Sequence, residues 1–364
     1  MRKFLALVLL VGLNLSSPAT ALETQSGNIQ VTRMSSGFKT PWALGFLPDG
    51  SYLVTERRGR LYHVELSGKK TAIKGVPKVA ANGQGGLLDV LVPRNFQQSG
   101  EIIMTLAKAQ PNGSGTAVAI AKLDLAKATL TNQRIIFEMT PGSQGDRHFG
   151  SRIVEARDGS LFVTIGERGD RPSAQDLSRH NGSIVKITRS GAAATGNPFL
   201  DQANAEPEIW SYGHRNPQGM AFDAKGVLWA VEHGARGGDE VNRIRKGANY
   251  GWPVIAYGRH YSGQKIGEGT QKQGMEQPAY YWDPSIAPSG MMIYTGDMFP
   301  DWRGDIFVGS LKFDYISRLS GANLTETEAL KSPNTKRVRD IRQAADGSIW
   351  FISDDRGAIY RMSR

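Results

Sequence analysis

Short apolar runs, each interrupted by a turn containing Asp or Gly and then resumed, recur along the chain. The segment WALGFLPDGSYLVTERRGRLYHV (42–64) shows the pattern most cleanly. SRIVEARDGSLFVTIGE (151–167), followed by GSIVKIT (182–188), repeats it, as do GMAFDAKGVLWAVEHG (219–234) and RDIRQAADGSIWFISDDRGAIYRM (339–362). Looser copies occupy 85–108 and 290–312. Few segments carry a helical period. Strands this short, joined by Asp-Gly or Gly-rich turns, predict antiparallel hairpins. Six similar units predict an all-β fold, a six-bladed β-propeller of four-stranded antiparallel sheets around a central channel. Their uneven spacing reflects loop insertions such as 259–285, and NIQVTRM (28–34) is expected to close the ring with the last blade. A β-sandwich is the structural alternative, but it does not account for six similar units.

The first 21 residues read as an export signal. Arg2 and Lys3 form a basic start, Phe4 to Leu15 is mostly apolar, and Ala19-Thr20-Ala21 fits a small-residue cleavage site. The apolar run is too short for a confident membrane span, and nothing later approaches one. Residues 22–364 are therefore expected to form one propeller domain, periplasmic or secreted, with no membrane span in the mature chain. Losing Arg2 and Lys3 lowers the formal charge from +10 to +8. The remaining cations are scattered without a Lys/Arg block, which argues against nucleic acid and leaves an anionic cofactor or acidic partner. With no cysteine, the chain has no disulfides, thiolate zinc sites or iron–sulfur clusters. Six histidines without H-E-x-x-H make a zinc hydrolase a poor fit.

Propeller geometry says where chemistry should gather. In each blade the innermost strand leaves one face and the second strand returns to it. Residues just before a first strand and just after a second strand thus share one mouth of the channel. Gln84, His148, Arg215 with Asn216, and Arg337 with Arg339 precede first strands. Glu167, His233-Gly234-Ala235, Lys312 and Asp354 follow second strands. Four cations among them, Arg215, Lys312, Arg337 and Arg339, suit a ligand bearing several carboxylates or phosphates. Taken singly, each could be a solvated surface residue or a structural ion pair.

His148, in GDRHFGSR, has Glu167 in the same repeat. A carboxylate on one imidazole nitrogen fixes the tautomer and leaves the other free as a base, although a structurally bonded histidine is an equal alternative. Arg147 beside it would lower its pKa. The Gly-rich stretch EHGARGGDEVNRIRKGANYGW (232–252) contains Asp239 and Glu240. Exposed carbonyls with a carboxylate suit calcium better than zinc, but the EF-hand spacing is missing and Asp239 could simply stabilise a turn.

PWALGFLPDG, GQGGLLDV, HFGSRI, RPSAQDL, EIWSYGHRNPQGM, EHGARGGDE, NYGWP and RVRDIR together resemble the soluble, pyrroloquinoline-quinone-dependent aldose sugar dehydrogenases, relatives of soluble glucose dehydrogenase. The resemblance covers essentially the whole mature chain. It implies oxidation of an aldose at C1 to the lactone, with His148 as general base, Glu167 as its orienting carboxylate and Arg215 stabilising the developing oxyanion. It places pyrroloquinoline quinone (PQQ) against Gln84, Arg215, Asn216, Tyr261, Lys312, Arg337 and Arg339. One calcium bridging to the quinone would use the carbonyls of Gly234 and Ala235, and a second, structural calcium Glu240 and Tyr250. Electrons would pass to an external acceptor, since no second redox domain is encoded. Two positions depart from the pattern: Ala235 stands where proline is usual, and Arg147 where Asn or Asp is usual. A calcium-dependent propeller lactonase is a competing reading, but it needs metal-binding carboxylates in the channel. A non-enzymatic propeller that binds an acidic ligand is another.

Overall fold

The computed structural model describes residues 20–364. Six antiparallel sheets are arranged in sequence order as the blades of a propeller. The innermost strands are Pro41–Phe46, Leu87–Leu91, Ile153–Glu155, Pro217–Phe222, Pro288–Ile293 and Val338–Gln343. The second strands are Tyr52–Glu56, Glu101–Gln110, Leu161–Ile165, Leu228–Glu232, Ile306–Ser310 and Ile349–Ser353. Four of these six second strands are buried along their whole length, because each is covered by the neighbouring blade on both sides. That is why they read as unbroken apolar runs rather than as alternation.

The turns that link first to second strands repeat one device. Asp49, Asp158 and Asp346 each accept, through Oδ1, the backbone N–H of the serine two residues on, at 3.0, 3.0 and 2.9 Å. The glycine between them has φ +84°, +81° and +81° respectively, a region where a Cβ would be strained. Interblade packing is aromatic and aliphatic. Tyr294, Phe299, Trp302 and Phe307 of the fifth blade interlock with Phe351 and Tyr360 of the sixth.

Closure follows the expectation from 28–34. Gly27–Ser36 pairs antiparallel with Ala358–Ser363, from Gln30 opposite Ser363 to Ser36 opposite Ala358. Its Ile29 and Val31 are buried. Thr20–Thr24 adds a fifth strand outside it. The export signal assigned to residues 1–21 lies almost wholly outside the described residues, and its last two, Thr20 and Ala21, begin that outer strand. Among the described residues, no helix is long and apolar enough to cross a membrane.

A cluster of charged side chains lies between the two cavities of the channel. Asp89, Arg152, Asp340 and Arg342 meet there, all but Arg342 at most 1% exposed. Arg152 Nη1 lies 3.0 Å from Asp340 and 3.3 Å from Asp89, and Arg342 reaches the same two carboxylates at 3.0 and 2.7 Å. Backbone N–H groups of Ile153 and Leu44 donate to Asp89 and Asp340 as well. On one side of this plug lies a mouth cavity of about 200 Å³ that includes Trp42, Gln84, Asn216, Gln218 and Arg339. On the other lies an apolar funnel built from all six innermost strands, including Leu44, Val90, Val154, Met220 and Met291.

Candidate active site

His148 precedes the innermost strand of the third blade, and Glu167 follows the second strand of the same sheet. Their side chains meet, with His148 Nδ1 2.6 Å from Glu167 Oε1. The approach depends on glycine at position 166, where a Cβ would lie 2.1 Å from the His148 carbonyl oxygen. His148 itself has φ +56°, a strained value for a non-glycine residue, and its N–H donates to Gln84 Oε1 at 2.8 Å. Burial pushes the imidazole pKa down; Glu167 opposes this, and Arg215 and Arg147 reinforce it, for a net lowering. The ring is therefore held neutral, with Nδ1 occupied by a carboxylate and Nε2 left as the basic nitrogen.

Arg215 and Asn216 lead into the innermost strand of the fourth blade. Arg215 is buried; its backbone N–H donates to Glu232 Oε2 at 2.7 Å and its Nη1 to the His233 carbonyl at 3.3 Å. Its Nε is buried with no acceptor. Asn216 Oδ1 accepts from Gly150 N–H and from Gln218 Nε2, and Gln218 Oε1 in turn receives Arg339 Nη1 at 3.2 Å. Among the described residues Arg339 has no carboxylate within ion-pair range, and burial pushes its pKa down to about 10. His233 marks the centre of the group. Burial, then Arg215 and Arg339, push it down to about 3, so residues of two blades act on one ring.

Of the residues expected at the mouth, Gln84, Asn216, Arg337 and Arg339 line the cavity directly. His148 and Arg215 flank it through their neighbours Phe149 and Asn216. Arg337 is committed in part to Asp354 at 3.0 Å. Lys312 is exposed at the rim, next to the lining residue Leu311, with Nζ 4.8 Å from the Phe313 ring centre. Tyr261 is 72% exposed, yet close enough to influence Arg215. The ring is short of anions. Its buried guanidinium nitrogen without an acceptor and its unpaired Arg339 fit a guest with several carboxylates.

A second, narrow cavity of about 20 Å³ adjoins the first, with room for one water-sized guest. Gly234, Ala235, Glu240 and Tyr250 all line it, although the sequence reading divided them between two ions. The Tyr250 hydroxyl faces away, accepting from Arg245 N–H at 2.9 Å. Glu232, which the sequence reading missed, lines the cavity too and stands directly across the strand pair from Glu240. Like charges so placed repel. Burial and then Glu232 push Glu240 up to about 8. Asn242 donates to both carboxylates at 3.1 Å, and its own Oδ1 is buried without a partner. Paired carboxylates among backbone carbonyls make a hard-oxygen donor set that fits calcium. Asp239, at the start of its strand, braces the loops instead: it accepts from Gly234 N–H, Ser285 Oγ and Ala287 N–H at 2.8, 2.7 and 3.0 Å.

The signal for Glu232 was present in the chain. YLVTE and LWAVE end a second strand on a carboxylate and LFVTIGE carries one just past it, and two of the three, Glu167 and Glu232, hold buried histidines, His148 and His214. Gln218 had no such signal, since a glutamine inside a strand says nothing about which blades it bridges. The axial carboxylates, Asp89 and Asp340, are neutralised by Arg152 and Arg342, which removes the donors a channel-centred lactonase metal would need.

A six-bladed ring with a neutral, carboxylate-backed imidazole beside a cationic mouth defines a propeller built to hold an anionic cofactor next to a base. The chain belongs to the glucose/sorbosone dehydrogenase family, whose model matches residues 38–361, and is thus an oxidoreductase. It is 40% identical over 345 residues to the aldose sugar dehydrogenase YliI of Escherichia coli K12, covering 93% of each chain. The apo-form crystal structure of the soluble E. coli aldose sugar dehydrogenase matches with a TM-score of 0.89 at 39% identity, over 92% of this chain and 99% of that one. The PQQ-bound aldose sugar dehydrogenase of Streptomyces coelicolor matches with a TM-score of 0.77 at 26% identity, over 96% and 99%.

Proposed function

We propose that this protein oxidises aldose sugars at C1 to the lactone, with PQQ in the mouth cavity and calcium in the adjoining one. The observation that carries the reading is the His148–Glu167 pair. A base is fixed in one tautomer and kept neutral, at the edge of a cavity whose cations exceed its anions. When bound, the quinone supplies a two-electron acceptor for the hydride leaving C1, and calcium supplies Lewis acidity.

The protein's own part is positioning and proton transfer. Arg215, Arg339 and Arg337, with Lys312 and Tyr261 at the rim, would hold the cofactor's carboxylates, and Gln84 and Asn216 its polar edge. Glu232, Glu240 and the carbonyls of Gly234, Ala235 and Tyr250 would hold the cation. His148 Nε2 takes the proton of the anomeric hydroxyl as C1 is oxidised, and the imidazolium that forms is stabilised by Glu167. Arg215 favours negative charge developing nearby. The two electrons leave to an external acceptor, and the basic, apolar leader fits export to a periplasm or beyond.

Reconstitution with PQQ and calcium tests the reading. The loaded protein should reduce a dye in the presence of glucose. His148→Gln should still take up PQQ, followed by its absorbance, while losing two to four orders of magnitude in kcat, roughly the contribution of a general base. Normal turnover by that variant would rule out His148 as the base.

A further inference from the structure

Two arginines near the site, Arg147 next to the base and Arg171 near Arg215, are used neither by the mouth cavity nor, among the described residues, by any carboxylate. Arg147 directly precedes His148 and is exposed. Its guanidinium lies over Gly169, with Nε 3.0 Å from where a Cβ would stand, in the turn that follows Glu167. Arg171, two residues further along, donates from Nη1 to His260 Nδ1 at 2.8 Å and packs 5.4 Å from the Trp252 ring centre. Arg215 sits 5.3 Å from the same ring centre, so Arg171 flanks the site.

The nearby acids are turned elsewhere. Asp170 pairs with Arg179 at 2.9 Å, and Asp146 packs against Gly83. Neither Arg147 nor Arg171 has a carboxylate within 4.0 Å among the described residues. The Trp252 indole N–H beside Arg171 is also buried without an acceptor. Both arginines influence the site, Arg147 lowering His148 and Arg171 lowering Arg215. Neither lines the cavity assigned to the cofactor. Arg147 adjoins the base in the chain and Arg171 shares the Trp252 ring with Arg215, so both border the site.

We infer that this vestibule selects aldoses carrying an anionic group, a carboxylate or a phosphate, at the end remote from C1, with Arg147 and Arg171 as the specificity residues. The inference rests on the aldose-oxidising reading above. A neutral sugar leaves both guanidinium groups without an anionic partner, whereas a uronate or sugar phosphate whose C1 faces His148 can offer them its anion.

The test uses the PQQ- and calcium-loaded protein with an uncharged dye as acceptor, comparing glucose, glucuronate and glucose 6-phosphate at low and high salt. At least one anionic sugar should exceed glucose about tenfold in kcat/KM, chiefly through KM, and the ratio should shrink as salt screens the charges. Which sugar gains distinguishes carboxylate from phosphate. Arg171→Gln and Arg147→Gln should each lower the anionic-to-neutral ratio several-fold. Glucose turning over as well as both anionic sugars, with a ratio indifferent to salt, would overturn the inference and leave the oxidation reading standing. No oxidation of any aldose would overturn both.

Discussion

Replacing Arg152 by methionine keeps most of the stem that rests on Trp42, whose ring centre lies 4.5 Å from the guanidinium, but removes the charge from the axial plug. Asp89 and Asp340 would then share Arg342 alone, leaving a buried net charge of about −1. Breaking a buried pair costs about 3–5 kcal/mol, because the abandoned partner stays desolvated. The loss should fall toward the lower end, about 3 kcal/mol. Arg342 still bonds both carboxylates, and the backbone N–H groups of Ile153 and Leu44 still donate to them. Against a total stability of about 5–15 kcal/mol this is large. Urea unfolding of the single variant, of Asp340→Asn and of the double variant measures it. The double variant should recover part of the loss, because the unpaired charge is gone. A loss under about 1 kcal/mol, or strictly additive losses, would refute the view that the plug is an electrostatically closed unit.

Three further outcomes follow from the site. Glu167→Gln removes the influence that raises the His148 pKa, so the acid limb of kcat/KM, already below the ordinary imidazole range, should move to lower pH as kcat drops about 100-fold or more; a limb that moves upward would contradict the assigned pair. Glu240→Gln relieves the carboxylate facing Glu232. In chelator-treated protein at pH 7 it should add about 1–2 kcal/mol, a gain that fades as the pH falls through 4.5 and is gone below it, where Glu240 is protonated whether folded or unfolded, while calcium should no longer raise Tm. Truncation to residue 37 removes Gly27–Ser36 and bares the edge of the last sheet, so soluble yield should collapse. A chain starting at Leu22 keeps that strand and should melt cooperatively, as followed by circular dichroism.

Much of this was legible in the chain because propeller blades repeat. The Asp-Gly-Ser turns and fully apolar second strands announced the sheets, and strand direction alone placed His148, Glu167 and Arg215 on one face. The repeat could not say how long side chains resolve their competition. Lys312 and Arg337 carry the same formal charge as Arg339, yet one projects into solvent and another turns to Asp354. Nor could it show that Glu232 and Glu240 face each other, because that depends on the register between Leu228–Glu232 and Asp239–Ile244.

The plug also dictates traffic. Under the proposed function, with two arginines and two aspartates meeting between its two cavities, the channel would leave sugar and oxidant one shared doorway to the reactive centre. They would then take turns: product leaves before the oxidant enters, the two half-reactions alternate, and either visitor in excess obstructs the other.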